Sequence, residues 1–204
     1  MSFTATAWSV FDRTINDYHI QDDVDASINN PYESSTLEHL LYAKNWIDTV
    51  QWHLEDIIRD ENIEPSEALK LKRRIDKSNQ ERTDLVEYID SWFLNKYKNI
   101  VPASDAKINS ETPAWAVDRF SSLELKVYHM SLEAHRESAT KEHREKCLQK
   151  LNVLLEQKED LSTAINQLLS DIENGTVKMK VYKQMKMYND ESLNPILYQN
   201  QKND

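Results

Sequence analysis

An arginine on the core face of a long helix constrains this chain more than any other feature. Ala68, Leu71, Ile75, Leu85, Ile89 and Trp92 fall on one stripe of a helix with about 3.6 residues per turn. Ser78 and Arg82 occupy the same stripe, with Asn79 beside it. A guanidinium there needs partners or a path to water, because an unpaired buried charge takes a large share of a domain's net stability. The fold must therefore bring acids and amides to the middle of this helix.

The flanking sequence is helical in pattern. One glycine and five prolines in 204 residues leave few turns. Residues 4–20 predict a short first helix with Phe3, Ala7, Phe11, Ile15 and Tyr18 on one side. Residues 21–33 form a polar loop of unusual length, either functional or mobile. Ser35 and Glu38 predict a capping box that opens a second helix, running to about residue 60. Its core stripe reads Leu40, Ala43, Ile47, Val50, Leu54 and Ile57. Asn45, Thr49, Trp52, Asp56 and Arg59 line the opposite side, with His53 adjacent, and a tryptophan there implies that this side is covered too.

Pro65 suits the first position of the third helix, which carries the interrupted stripe and runs to about residue 98. After a loop, Thr112 and Pro113 start a fourth helix with Ala116, Phe120, Leu123, Val127, Met130 and Ala134 as its core. A weak break at Ser138, Ala139 and Thr140 reverses the chain or leaves one continuous helix. The fifth helix carries Cys147, Leu151, Leu154, Leu161, Ile165, Leu168 and Ile172, interrupted by Lys158, and Asn174-Gly175 closes it with a left-handed cap. The expected fold is all-α, a bundle of four long helices with a short N-terminal helix over residues 1–175. A basic arm over residues 176–204 follows, with Lys178, Lys180, Lys183 and Lys186 and no acid before Asp190. It packs along the acidic bundle or binds a partner.

Charge and composition exclude some functions. A net charge of -10 argues against nucleic acid and anionic lipid as partners. No apolar run reaches the roughly 18 residues of a membrane span. The first residues lack a signal-peptide pattern, and a single cysteine, Cys147, excludes an internal disulfide, so a cytoplasmic location is expected.

The second and third helices, joined by a short turn, should lie antiparallel. Asn45, His53, Asp56 and Arg59 would then approach Asp76, Asn79, Gln80, Arg82 and Asp84. The fourth helix adds Asp118, Arg119, Ser121, Ser122, Lys126 and His129. One reading is a network that satisfies itself and fixes helix register. The other is a pocket for an anionic ligand, with Asn45, His53, Asp56, Asn79, Arg82, Arg119 and Lys126 as its binding residues. In that reading Arg82 and Arg119 pair with the anion, and Asp56 orients Arg82 or His53. An enzymatic variant makes His53 a general base and Asp56 its orienting carboxylate, acting on a phosphorylated or nucleotide-sugar substrate. No metal and no cofactor are expected. None of the six histidines has a glutamate three residues before it, and the loose acid pairs Glu81/Asp84, Glu87/Asp90 and Glu156/Glu159 arise easily among 35 acids. Cys147 lies on a core stripe and reads as packing.

Three blocks resemble the bacterial family labelled domain of unknown function 4254. They are Asn45-Trp46 through Trp52-His53-Leu54-Glu55-Asp56 to Arg59-Asp60; Arg74-Ile75-Asp76 through Asn79-Gln80-Glu81-Arg82 to Glu87 and Asp90; and Glu111-Thr112-Pro113 with Asp118-Arg119 and Leu125-Lys126-Val127-Tyr128-His129-Met130. The closing Lys186-Met187-Tyr188-Asn189-Asp190 with Asn194-Pro195 also fits. Pro113-Ala114-Trp115 and Arg82-Thr83-Asp84 depart from the family pattern. The resemblance implies an all-helical fold and an association with glycosyltransferases of cell-surface polysaccharide synthesis, one of which would be a protein partner.

Overall fold

Four long helices open on a side-chain hydroxyl that accepts from a first-turn amide. Ser2 caps α1 (Phe3–Gln21), Thr36 caps α2 (Leu37–Ile57), Thr112 caps α4 (Pro113–His135) and Thr140 caps α5 (Lys141–Glu173). Between them, α3 (Pro65–Lys96) starts on its proline without a side-chain cap. A short α6 (Pro195–Asn200) is the last element among the described residues. The computed structural model describes residues 2–185, 187, 190 and 192–200. The closing-block residues Lys186, Tyr188 and Asn189 lie outside that set.

The all-α expectation holds, with two corrections of detail. The α2 cap is Thr36, not Ser35, and Glu38 therefore falls one position short of a capping box. The N-terminal helix is no appendage. Its 19 residues bury Thr4, Ala7, Val10, Phe11, Thr14, Ile15 and Tyr18, and it packs on α2, α4 and α5. Five long helices thus share the core, in which Phe11, Tyr18, Tyr42, Phe93, Phe120 and Ile165 are fully enclosed.

Helix α4 is central. From Thr112 to Leu125 only Arg119 is exposed. The break at residues 138–140 is a true reversal, and α4 and α5 form the most extensive helix pair. Their far end carries a separate small core of Ala134, Cys147 and Leu151. Lys158 interrupts the α5 stripe because its ammonium sits 3.9 Å over the Trp8 ring.

The loop between α1 and α2 is pinned rather than free. Arg74 of α3 pairs with Asp25 at 2.7 Å and also donates to the Val24 carbonyl. Asn30 donates to the His39 carbonyl at 3.0 Å.

The chain leaves α5 through Gly175, whose φ of 72° is the left-handed conformation expected of a C-cap glycine. There β2 (Val177–Lys178) pairs in parallel with β1 (Lys107–Ile108) of the α3–α4 loop. Val177 and Met179 pack on the main core, and the Gln184 amide donates to Glu87. Among the described residues no helix is long and apolar enough to cross a membrane.

Candidate functional site

The interruption of the α3 stripe is met by two aspartates. Arg82 Nε donates to Asp48 Oδ1 of α2 at 2.9 Å, and Nη2 to Asp118 Oδ2 of α4 at 2.6 Å. A second cation completes the group: Lys44 of α2, fully buried, pairs with Asp48 and lies 2.9 Å from Asp118 Oδ1. Ser121 donates to Asp48 at 2.6 Å, and Asn45 donates to Ser121 at 2.9 Å. Two cations and two carboxylates cancel, so the charge is buried as a neutral set. Burial opposes the guanidinium charge, but Asp48 and Asp118 outweigh it and hold the Arg82 pKa above its usual range.

Above this quartet lies a cleft of about 550 Å³ between α2, α3 and α4. Gln51, Trp52, Glu55 and Asp56 line it from α2, Arg59 from the turn that follows, Arg82 from α3, and Ser122, Leu125 and Lys126 from α4. Gln51 also ties α2 to α3, donating to Asn79 at 2.9 Å and accepting from Ser78 at 3.3 Å. The size falls within the roughly 300–1,000 Å³ of small-molecule sites.

Behind Trp52 three imidazoles converge. His19 comes from the last turn of α1, His53 from α2 and His129 from α4. Their ring centroids stand 5.2, 5.4 and 5.6 Å apart. Each ring is backed by an aromatic: Tyr18 stacks on His53, Tyr128 lies against His19, and Trp52 stacks on His129 at 4.7 Å and 4°. His19 Nδ1 donates to the Ile15 carbonyl at 2.7 Å, which leaves its Nε2 as the lone-pair nitrogen of a neutral ring. That Nε2 lies 3.2 Å from His53 Nε2. Burial, then the neighbouring His53 and His19, push the His129 pKa down to about 4. Burial first and His19 second also lower His53.

The structure divides the predicted binding set. Asp56, Arg82 and Lys126 share the cleft, and Asn79 sits at its margin through Gln51. Asn45 is fully buried beneath it. His53 belongs to the imidazole group, where it faces His19 and Asp22, while Asp56 pairs with Arg59 at 3.8 Å. The orienting role expected of Asp56 toward Arg82 falls instead to Asp48 and Asp118. Arg119 is the exposed residue of its helix turn. It pairs with Glu111 at 2.9 Å and lines two other clefts, one beside Lys180 and Lys183 and one of about 620 Å³ against α5 that it shares with Ser122 and Lys126.

Sequence reasoning missed Lys44, Asp48 and His19. Lys44 and Asp48 stand four residues apart, the spacing of any exposed helical ion pair. Their place beside Asn45 and Thr49, on the helix side expected to be covered, was the available signal. His19 shares no local motif with His53, from which 34 residues separate it.

The family model described as protein of unknown function (DUF4254) matches residues 38–181. No curated protein and no solved structure matches the chain.

Proposed function

The chain belongs to the DUF4254 family, and we propose that it is a binding protein for a small anionic molecule held in the cleft between α2, α3 and α4. The supporting observation is the state of Arg82. Two aspartates lock its guanidinium, yet a quarter of the side chain, 25%, remains exposed to the cleft side. A cation fixed in advance gives up little freedom on binding, which favours affinity. Lys126 adds positive charge at the rim, where Arg59 is paired with Glu55 and Asp56, and Gln51 and Ser122 add hydrogen-bonding groups. A phosphate-bearing ligand such as a sugar nucleotide suits this lining. The association with glycosyltransferases is the pathway context that the resemblance implies, and it stands as part of the proposal.

The test is a thermal-shift and calorimetric screen of the purified protein with inorganic phosphate, sugar phosphates and sugar nucleotides. A ligand at 100 times its dissociation constant stabilises by about 2.7 kcal/mol. The shift is expected to weaken in Lys126→Ala and to persist in Arg119→Ala, which alters only the two other clefts. No shift with any compound, or one unchanged by Lys126→Ala, overturns the reading.

One observation favours a second reading. Lys44 and Arg82 neutralise Asp48 and Asp118 without help from any ligand. A network complete in itself serves helix register alone, and the screen then stays silent.

A further inference from the structure

We propose that His19, His53 and His129 form a binding site for a divalent first-row transition-metal ion, with the Asp22 carboxylate as a fourth ligand. This site goes beyond the anion cleft and stands without it. The candidate ligand nitrogens of the three histidines all lie within 4.8 Å of one another. Bonds of about 2.0–2.1 Å to a tetrahedral ion place ligand atoms roughly 3.3 Å apart. The Nε2 atoms of His19 and His53, hydrogen-bonded at 3.2 Å with His53 as donor, already have that spacing, and a bound ion would take the place of the shared proton. The third nitrogen, within 4.8 Å of the other two, would close the remaining gap of up to about 1.5 Å on binding.

Three further observations support a metal over a stack of aromatic rings. First, His19 is presented as metal-bound histidines are: its far nitrogen donates to a backbone carbonyl, which fixes the tautomer and turns Nε2 outward. Second, His129 Nε2 is buried with no hydrogen-bond partner among the described residues. Aromatic packing leaves that atom unsatisfied, which costs free energy, whereas coordination would use it. Third, Asp22 Oδ1 stands 4.0 Å from both His19 Nε2 and His53 Nε2. Asp22 ends α1 in the left-handed conformation, φ 49°, and this backbone turn carries its carboxylate to the imidazoles.

The chemistry of the donor set narrows the ion. Three imidazoles and a carboxylate suit zinc, iron, nickel or copper, and offer too few oxygens for calcium or magnesium. The aromatic rings behind each imidazole hold the ligands in orientation. The Asp22 side chain is 63% exposed, so the fourth position opens toward solvent, where water or a small ligand could replace the carboxylate.

The experiment is equilibrium dialysis of the full chain against zinc, with elemental analysis of the retained metal, repeated with cobalt for its visible spectrum. Wild type is expected to retain about one ion per chain and to show the intense bands of four-coordinate cobalt. His129→Gln and His53→Gln, checked for folding by circular dichroism, should lower zinc affinity beyond the roughly 10–100-fold typical of losing a supporting residue. Lys126→Ala should retain the ion fully, which separates this site from the anion cleft. The proposal is overturned if wild type retains no zinc, if cobalt keeps its six-coordinate aqueous spectrum, or if both glutamine variants bind as tightly as wild type.

Discussion

Arg82 Nη2 lies 2.6 Å from Asp118 Oδ2, and this contact fastens α3 to the central helix α4. The same guanidinium reaches Asp48 of α2 at 2.9 Å, so one side chain ties three helices. Fork geometry is essential, since each aspartate meets a different nitrogen.

Arg82→Ala leaves Lys44 alone against two buried carboxylates. The expected loss is roughly 3–5 kcal/mol, read as a lower urea midpoint with little change in slope. Arg82→Lys should recover only part of it, because an ammonium cannot bridge both acids in the same geometry. A change within about 0.5 kcal/mol would mean that the quartet contributes nothing to stability.

Lys126 lines the cleft from an exposed position. Lys126→Ala should alter stability by no more than about 0.5 kcal/mol. Binding of a phosphate-bearing ligand should nevertheless weaken about tenfold, a difference of about 1.4 kcal/mol. Wild-type binding should also fall as salt rises, since rim charges are screened. Calorimetry at two ionic strengths checks both.

Glu124 is buried in α4, and burial, reinforced by Asp12, pushes its pKa from 4.5 up to about 8. Below pH 4.5 the folded and unfolded chains both keep the proton, and there is no penalty. Between 4.5 and 8 the unfolded chain releases it while the folded chain retains it, so stability falls as pH rises. The full loss, reached above about pH 8, is of the order of 5 kcal/mol. Glu124→Gln should flatten that decline, as followed by denaturation midpoints from pH 4 to about 9. An unchanged slope would show that Glu124 ionises freely.

Gly175 combines a φ of 72° with a close approach: an added Cβ would stand 3.1 Å from the Val101 carbonyl oxygen. Gly175→Ala should cost about 1–2 kcal/mol for the left-handed backbone alone. It should also disturb the bond from the Ala103 amide to the Gly175 carbonyl, 2.9 Å, beside the β1–β2 pairing. Faster hydrogen exchange at Ala103 and Lys107 would report it, and unaltered exchange would argue against the strain.

Much of the fold was legible because helices announce themselves locally. Thr112-Pro113 marked the start of α4, and Gly175 marked the end of α5, since capping depends on a few adjacent residues. Arg82 on the α3 stripe announced a buried polar site for the same reason: periodicity assigns a face before the partner is known. The stripe on α2 was less informative. Ile57 proved 45% exposed, while Asn45 and Thr49 on the opposite side are fully buried. α2 is covered from several sides, and a single stripe cannot say which neighbour lies where.

The sequence by itself determined the helices, their caps and the need to neutralise one arginine, all set by contacts within a few turns of backbone. Only the tertiary structure decided which acids answer it, that Lys44 joins them, and that Arg119 lies outside the cleft that Arg82 lines. It also decided that His19, His53 and His129 meet. Those three lie on different helices without a shared local spacing, and only the packing of α1 and α4 against α2 brings their nitrogens within 4.8 Å. Side-chain convergence across helices depends on crossing geometry and axial offset, which the order of residues along one helix does not encode.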